Sequence, residues 1–296
     1  MHYILRRRKL GRTSAREIAR NSAEGIVCYR NDGKFYDHDL NRYRYTGGLP
    51  ETDGYVFRWG CTSEVPGNPK IVNKVAAIQK VNAKHTFRKI LADEGLAPKT
   101  WLNYSDVPDN IIDSIIPVVV RRSYHAQGRN LHICRGLDEI GLACERYGSG
   151  NYYISELINK IAEYRVCVIS GRVAWVAKKT PGNPHQVAWN VAQGGRFDNV
   201  SWTEWPLRVI KTAVKAFALS DLDFGGVDIM VDADGKCYVL EINSAMSLTS
   251  PYRQQCTAKC FDYIIQNGRD VIPLVDQLGD WKKFIHPALT EAALRV

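Results

Sequence analysis

The sequence holds no apolar run long enough to cross a membrane. Its longest, Ile111 to Val120, is interrupted by Asp113 and Pro117, where a span needs about 20 apolar residues. Its first residues, MHYILRRRKLG, meet charge after a few apolar positions and do not read as a secretory signal. No CxxC pair occurs among the eight cysteines, and no Cys/His group has zinc spacing. Cys256 and Cys260, four apart on an expected helix, read as core. Scattered thiols of this kind point to a reducing compartment, and the expectation is a cytoplasmic protein. Internal repeats and low-complexity segments are also missing. With 45% hydrophobic and 24% charged residues in 296, the chain has enough apolar material for one elaborate domain or two.

Charge is what it has in excess. Lys and Arg number 40 against 31 Asp and Glu, a formal net charge of +9. Arg6, Arg7, Arg8, Lys9, Arg12, Arg16 and Arg20 meet a single acid, Glu17, in the first twenty residues. Such a run is either a solvated face or a surface for a polyanion such as nucleic acid or an acidic protein tail.

The stretch with the clearest chemistry is Phe224 to Asn243, FGGVDIMVDADGKCYVLEIN. Val227, Ile229 and Val231 alternate with Asp228, Met230 and Asp232, and Tyr238, Leu240 and Ile242 alternate with Val239, Glu241 and Asn243. The pattern predicts two half-buried strands, with Asp234-Gly235 as the hairpin signal between them. Placing Asp232 opposite Cys237 leaves Ala233 to Lys236 as the loop and sets Asp228 opposite Glu241, with Asn243 on the same face. Two carboxylates and an amide at one spot suit Mg²⁺, which takes one or two carboxylates and completes its shell with water and phosphate. A solvated polar face on an edge hairpin is the other reading.

Around this hairpin the pattern predicts strands at 3–5, 25–29 and 55–60, separated by a helix over 15–20 and a turn-rich stretch over 30–54. A helix over 73–91 follows, stopped by Gly95 and Pro98. Pro117 to Arg121 reads as a buried strand ending in two arginines, followed by the loop SYHAQGRN (123–130) and a strand over 131–134. The stretch 152–159 reads as a strand. A hairpin follows, 161–169 with 172–178 about Ser170-Gly171, in which Glu163, Arg165 and Lys178 are expected to project from one sheet. A long loop over 180–200, helices over 205–219 and 250–266, and a short helix or tail of no legible chemistry complete the chain.

The order of these pieces resembles the ATP-grasp fold, and within it the carboxylate–amine ligases that include ribosomal-protein glutamate ligases and glutathione synthetase. The motifs that carry the likeness are the lysine helix ending in Gly-x-x-Pro, VVVR, SELI, EYRV and GGVDIM…VLEIN, across roughly residues 70 to 266. The resemblance implies an α/β fold of two α+β subdomains gripping ATP. It divides the chain into a small α/β lead-in domain (1–69), an ATP-grasp domain (70–270) with a lid-like subdomain near 115–160, and a C-terminal tail or helix (271–296). It implies ATP and Mg²⁺, with Mn²⁺ as a substitute, and small carboxylate and amine substrates such as amino acids or peptides, joined through an acyl phosphate. Lys84, Arg121 and the loop residues Gln127 and Gly128 would meet phosphates; Arg121 stands where the family usually has lysine. Glu156, Leu157 and Ile158 would form the hinge that meets adenine, and Glu163 would be a ribose or hinge-side partner. Arg165, Lys178 and Asn190 would hold the acyl phosphate and the transferred phosphoryl group, and Asp228, Glu241 and Asn243 the metal. Past Asn243 the family often has Pro-Gly; here the text is Ser244-Ala245-Met246-Ser247-Leu248. A kinase or phosphotransferase of the same fold, or a nucleic-acid-binding protein with a regulatory ATP site, are the alternatives.

Overall fold

The computed structural model describes residues 1–9, 12–111, 117–123, 131–183, 187, 189, 194–269 and 282–294. The expected Gln127, Gly128 and Asn190 lie outside them.

The first sheet has the order β4-β3-β2-β1-β5-β6. Its strands are β1 (Tyr3–Arg6), β2 (Val27–Arg30), β3 (Lys34–Asp37), β4 (Arg42–Tyr45), β5 (Tyr55–Trp59) and β6 (Lys70–Val72). β1 runs parallel to β2 and β5, and β5 to β6, while β3 and β4 add as antiparallel hairpins. The turn-rich stretch at 30–54 thus conceals two short strands, each too brief to show a period of two against its polar flanks. Helix α1 (Arg12–Asn21) crosses from β1 to β2. Ser14 lies inside it and exchanges hydrogen bonds with Leu248: its Oγ accepts from the Leu248 N–H at 2.7 Å.

The expected helix over 73–91 is two helices, α2 (Val75–Asn82) and α3 (Lys84–Asp93), broken at Ala83. The break makes Lys84 the first residue of α3. Ahead of it, Asn73 takes a positive φ of 68°. Its side-chain oxygen accepts from the N–H groups of Asp223 and Phe224 at 2.8 and 3.0 Å. One buried side chain therefore fixes where the strand from Phe224 begins.

The second sheet, β7-β10-β8-β9, is antiparallel throughout: β7 (Thr100–Trp101), β8 (Val118–Arg122), β9 (Leu131–Cys134) and β10 (Tyr152–Glu156). Helix α4 (Leu137–Tyr147) covers it, with a core of its own about Ile111, Val118, Val120, Ile140 and Ile154.

The third sheet, β13-β12-β11-β14-β15, carries β11 (Lys160–Ile169), β12 (Arg172–Thr180), β13 (Arg196–Asn199), β14 (Phe224–Asp232) and β15 (Cys237–Asn243). Helices α5 (Leu207–Ala218) and α6 (Pro251–Asn267) pack beside it, and a short α7 (Thr290–Leu294) follows. α6 begins at Pro251 with Ser250 ahead of it, as a proline in the first turn predicts. Its Phe261 stacks on Phe57 of β5 at 4.2 Å, so the first and third sheets share one core.

Two bulges set the registers that matter. The loop of the β14–β15 hairpin is one residue shorter than expected: Asp232 N–H donates to Lys236 O, leaving Ala233 to Gly235, with Gly235 at φ 75°. That shifts the pairing to Val231 opposite Cys237, and a bulge at Leu240 shifts it back, so Asp228 still faces Glu241. Leu240 is thereby turned away from the face of Ile242, and the simple alternation expected for β15 fails. In the β11–β12 hairpin the turn is as expected, with Ile169 opposite Arg172, but a bulge at Ala174 then offsets the ladder by one. Glu163 faces Lys179, not Lys178.

Candidate active site

β14 is the middle strand of the site. Arg165 on β11 and Glu241 on β15 are its direct cross-strand neighbours at Asp228. Two carboxylates placed directly opposite repel, and each is matched by a cation. Arg165 donates to both oxygens of Asp228, at 2.5 and 2.6 Å. Lys84, delivered by the start of α3, donates to Glu241 at 2.6 Å. Asn243 donates its amide to the other Glu241 oxygen at 3.0 Å. Burial by itself would raise the Glu241 carboxyl. The Lys84 ammonium, the Asn243 amide and Arg165 outweigh it and hold the group far below the usual carboxylate range. Burial likewise opposes the charge on Arg165, and Asp228 more than restores it.

Gly225 and Gly226 permit this closeness. A Cβ on Gly225 would come within 2.9 Å of the Asn243 carbonyl, and one on Gly226 within 2.7 Å of Met246 Sδ. Met246 and Leu248 are fully buried, so the segment after Asn243 packs as core.

A second charged group lies further along the same sheet face. Glu163, 2% exposed, sits between Lys160 and Lys179. Lys160 donates to it at 2.5 Å, and Lys179 closes on its other oxygen. Burial pulls Lys160 down, against the pull of Glu163. Trp189 lies over Lys160, 4.7 Å from the ring centre, and Phe197 over both Lys179 and Arg165. The expected Lys178 is on the opposite face and exposed, because the bulge at Ala174 moves Lys179 into its place. Glu163, expected at a ribose, has both oxygens taken by ammonium groups.

Between the second and third sheets opens a cavity lined by Arg121, Glu156, Leu157, Ile158, Met230 and Leu240. It gathers the expected adenine-side residues and one expected phosphate ligand under an apolar roof. Arg121 points its Nε inward without a hydrogen-bond partner among the described residues, while Arg122 is exposed. The N–H groups of Glu156 and Leu157 are bonded to the Lys99 and Pro117 carbonyls, so donation to a base would fall to Ile158.

Arg88 is a site residue that sequence reasoning missed. Fully enclosed on α3, it donates to the Leu240 carbonyl at 2.6 Å and contacts Ser155 Oγ at 3.4 Å. It pins the bulge to the hinge strand. Only its place on a helix face, one turn after Lys84, could have marked it.

Two sheets about an apolar cleft, with paired carboxylates on the strands β14 and β15 that also supply Met230 and Leu240 to its lining, define the class: an ATP-grasp protein. The family model described as RimK-like ATP-grasp domain matches residues 79–260. The chain belongs to the RimK-like ATP-grasp family and is, by class, an ADP-forming carboxylate–amine ligase. Solved structures are similar throughout the chain. D-alanine–D-alanine ligase from Bacillus anthracis complexed with ATP matches at 16% identity and TM-score 0.60, covering 90% of this chain and 96% of that one. The macrocyclase MdnC of Microcystis aeruginosa MRC, bound with precursor peptide MdnA, matches at 15% and 0.58, covering 90% and 100%. The ATP-grasp ligase PsnB, complexed with a minimal precursor variant, Mg and ADP, matches at 16% and 0.57, covering 87% and 97%. No curated protein sequence matches.

Proposed function

We propose that the chain uses ATP and Mg²⁺ to join the carboxylate of an amino acid or peptide to an amine. The observation that carries this is the floor of β14, where Asp228 and Glu241 face each other and each is neutralised by a cation. The donor set, two carboxylates with the Asn243 amide beside them, is of the hard-oxygen kind that fits Mg²⁺, with Mn²⁺ as a substitute. Bound there, the metal would neutralise phosphate charge. Arg165 and Lys84, whose charges Asp228 and Glu241 now absorb, would then turn to anionic oxygens of phosphate and acyl group. Arg121 would meet phosphate and the Glu156–Ile158 stretch the base. Lys179, in the place expected of Lys178, would neutralise the anion from β12. ATP phosphorylates the carboxylate to an acyl phosphate, the amine attacks its carbonyl carbon, and phosphate leaves; the chain aligns and neutralises and supplies no covalent nucleophile.

A peptide is favoured as substrate because two of the similar ligases were captured with precursor peptides. Of the polyanions expected from charge, an acidic peptide segment is the one that fits a peptide ligase. The first sheet, residues 1–69 with β6, would be the lead-in part, and residues to about 270 the ATP-grasp part with the second sheet as its lid. Eight free thiols favour the cytoplasm, and no helix among the described residues is long and apolar enough to cross a membrane.

The test is ADP release against a panel of amino acids and peptides, with mass spectrometry of products. Release that needs both an acid and an amine is expected. Release with a single acceptor would make the chain a kinase. Glu241→Ala should lose about a thousandfold or more in turnover at saturating ATP while keeping its thermal transition; near-normal turnover would remove Glu241 from the metal site.

A further inference from the structure

The basic N-terminal run does not form one face. Arg16 and Arg20 both lie beside Glu17, and Arg16 also stacks over Tyr36. Arg6, Arg8 and Lys9 instead converge with Arg30 and Tyr43 around a cavity of ≈ 420 Å³, in the range of small-ligand sites. It opens where β1 and β2 end, because Arg6 and Arg30 are the last residues of these strands. The C-terminal ends of parallel strands are where open α/β sheets take ligands.

The pair is costly as it stands. Arg6 and Arg30 are direct partners across the parallel ladder, and like charges so placed repel. Arg6 is fully buried and donates to the carbonyls of Arg7 and Arg8 and to the Tyr43 hydroxyl, and it lies beside the Cys28 thiol. Asp32 meets Arg30 from outside. Among the described residues no carboxylate is paired with Arg6, Arg8 or Lys9. The cavity therefore gathers four cations against one acid, with two guanidinium groups among them ordered by packing. None of these residues belongs to the ATP site.

We propose that this cavity binds the carboxylates of an acidic peptide segment. Guanidinium forks ordered in advance match carboxylates two hydrogen bonds at a time. Tyr43 argues against single-stranded nucleic acid as occupant: its ring already has both guanidiniums over it, 5.6 and 5.3 Å from the centre, so it offers no open platform for a base. The cavity is also a single pocket, not a track along which successive phosphates could lie. The peptide-ligase reading enters only in saying that the segment belongs to the substrate.

The experiment is fluorescence anisotropy of labelled tetraglutamate on the full chain, without ATP. The comparison set is tetraglutamine and hexauridylate, with the variants Arg8→Gln/Lys9→Gln and Arg30→Gln, and a control, Arg146→Gln/Lys211→Gln, that removes the same charge elsewhere. Tetraglutamate should bind, tetraglutamine should not, and the pocket variants should weaken binding about tenfold or more while the control stays within about twofold. Equal loss in pocket and control variants would show a diffuse charge effect and overturn the proposal, as would no binding at all. Tighter binding of hexauridylate, lost in the pocket variants, would overturn it in favour of nucleic acid. If ligation fails with every acid and amine but pocket-dependent binding persists, the site stands and only the owner of the segment changes.

Discussion

At the scale of single residues, the decisive pair is Lys178 and Lys179. The sequence offers two adjacent lysines with opposite directions, and a turn at Ser170-Gly171 favours the first. A bulge at Ala174 favours the second, and bulges leave no mark in a pattern of alternation. Lys179→Met should cost about a hundredfold in kcat/KM, since it removes one of two ammoniums on a buried carboxylate in the site; Lys178→Met, on the exposed face, should stay within about twofold. Steady-state ADP release checks both. Arg121 and Arg122 repeat the contrast, this time as alternation predicts: Arg121 faces the cavity and Arg122 solvent. Calorimetry should show ATP affinity falling about tenfold or more in Arg121→Ala and little changed in Arg122→Ala. Asn73 and Arg88 were not legible at all, because each acts on a strand more than sixty residues away.

At the scale of elements, the hairpin Phe224 to Asn243 was the most legible part, since its two faces differ so sharply in polarity. Its register holds through two errors that cancel, a short loop and a bulge at Leu240. Arg88 is what keeps the bulge carbonyl satisfied. Arg88→Met retains the bulk but removes the donor, and should lower stability by about 1.5–3 kcal/mol. It should also weaken ATP binding, because Leu240 lines the cavity that the bulge shapes. A thermal melt and an ATP titration on one preparation test the two effects together; an unchanged melt would show that the bulge does not need this clamp. The break between α2 and α3 escaped the sequence for a related reason: apolar positions run on across Ala83, and only the ion pair from Lys84 to Glu241 gives the break its use.

At the scale of the whole molecule, the C-terminal segment read as featureless, yet part of it is core. His286 is fully buried, donates its backbone N–H to the Val173 carbonyl at 2.9 Å and accepts from the Ala288 N–H through Nδ1 at 3.3 Å. Burial, with Arg172 adding to it, lowers its pKa to about 3. The unfolded imidazole takes a proton near pH 6.5 and the folded one does not, so stability is complete above about 6.5 and falls as pH drops from there toward 3. The slope is about 1.4 kcal/mol per pH unit. Between pH 7 and 5 the chain should lose about 2 kcal/mol more than His286→Asn, read from urea unfolding at each pH. Equal losses would mean that His286 is not held neutral.

The stack of Phe57 on Phe261 also bears on the order in which the protein is made. β5 leaves the ribosome some two hundred residues before α6, at roughly 5–20 residues per second. For most of that interval Phe57 and Trp59 lack Phe261 and Phe224, the rings they stack on, with α1 and α2 there to share the core. The first sheet is therefore an early-made and late-finished part of the molecule. It is the part a nascent chain would most need a chaperone to cover, and a chain stopped before Pro251 would leave it open for good.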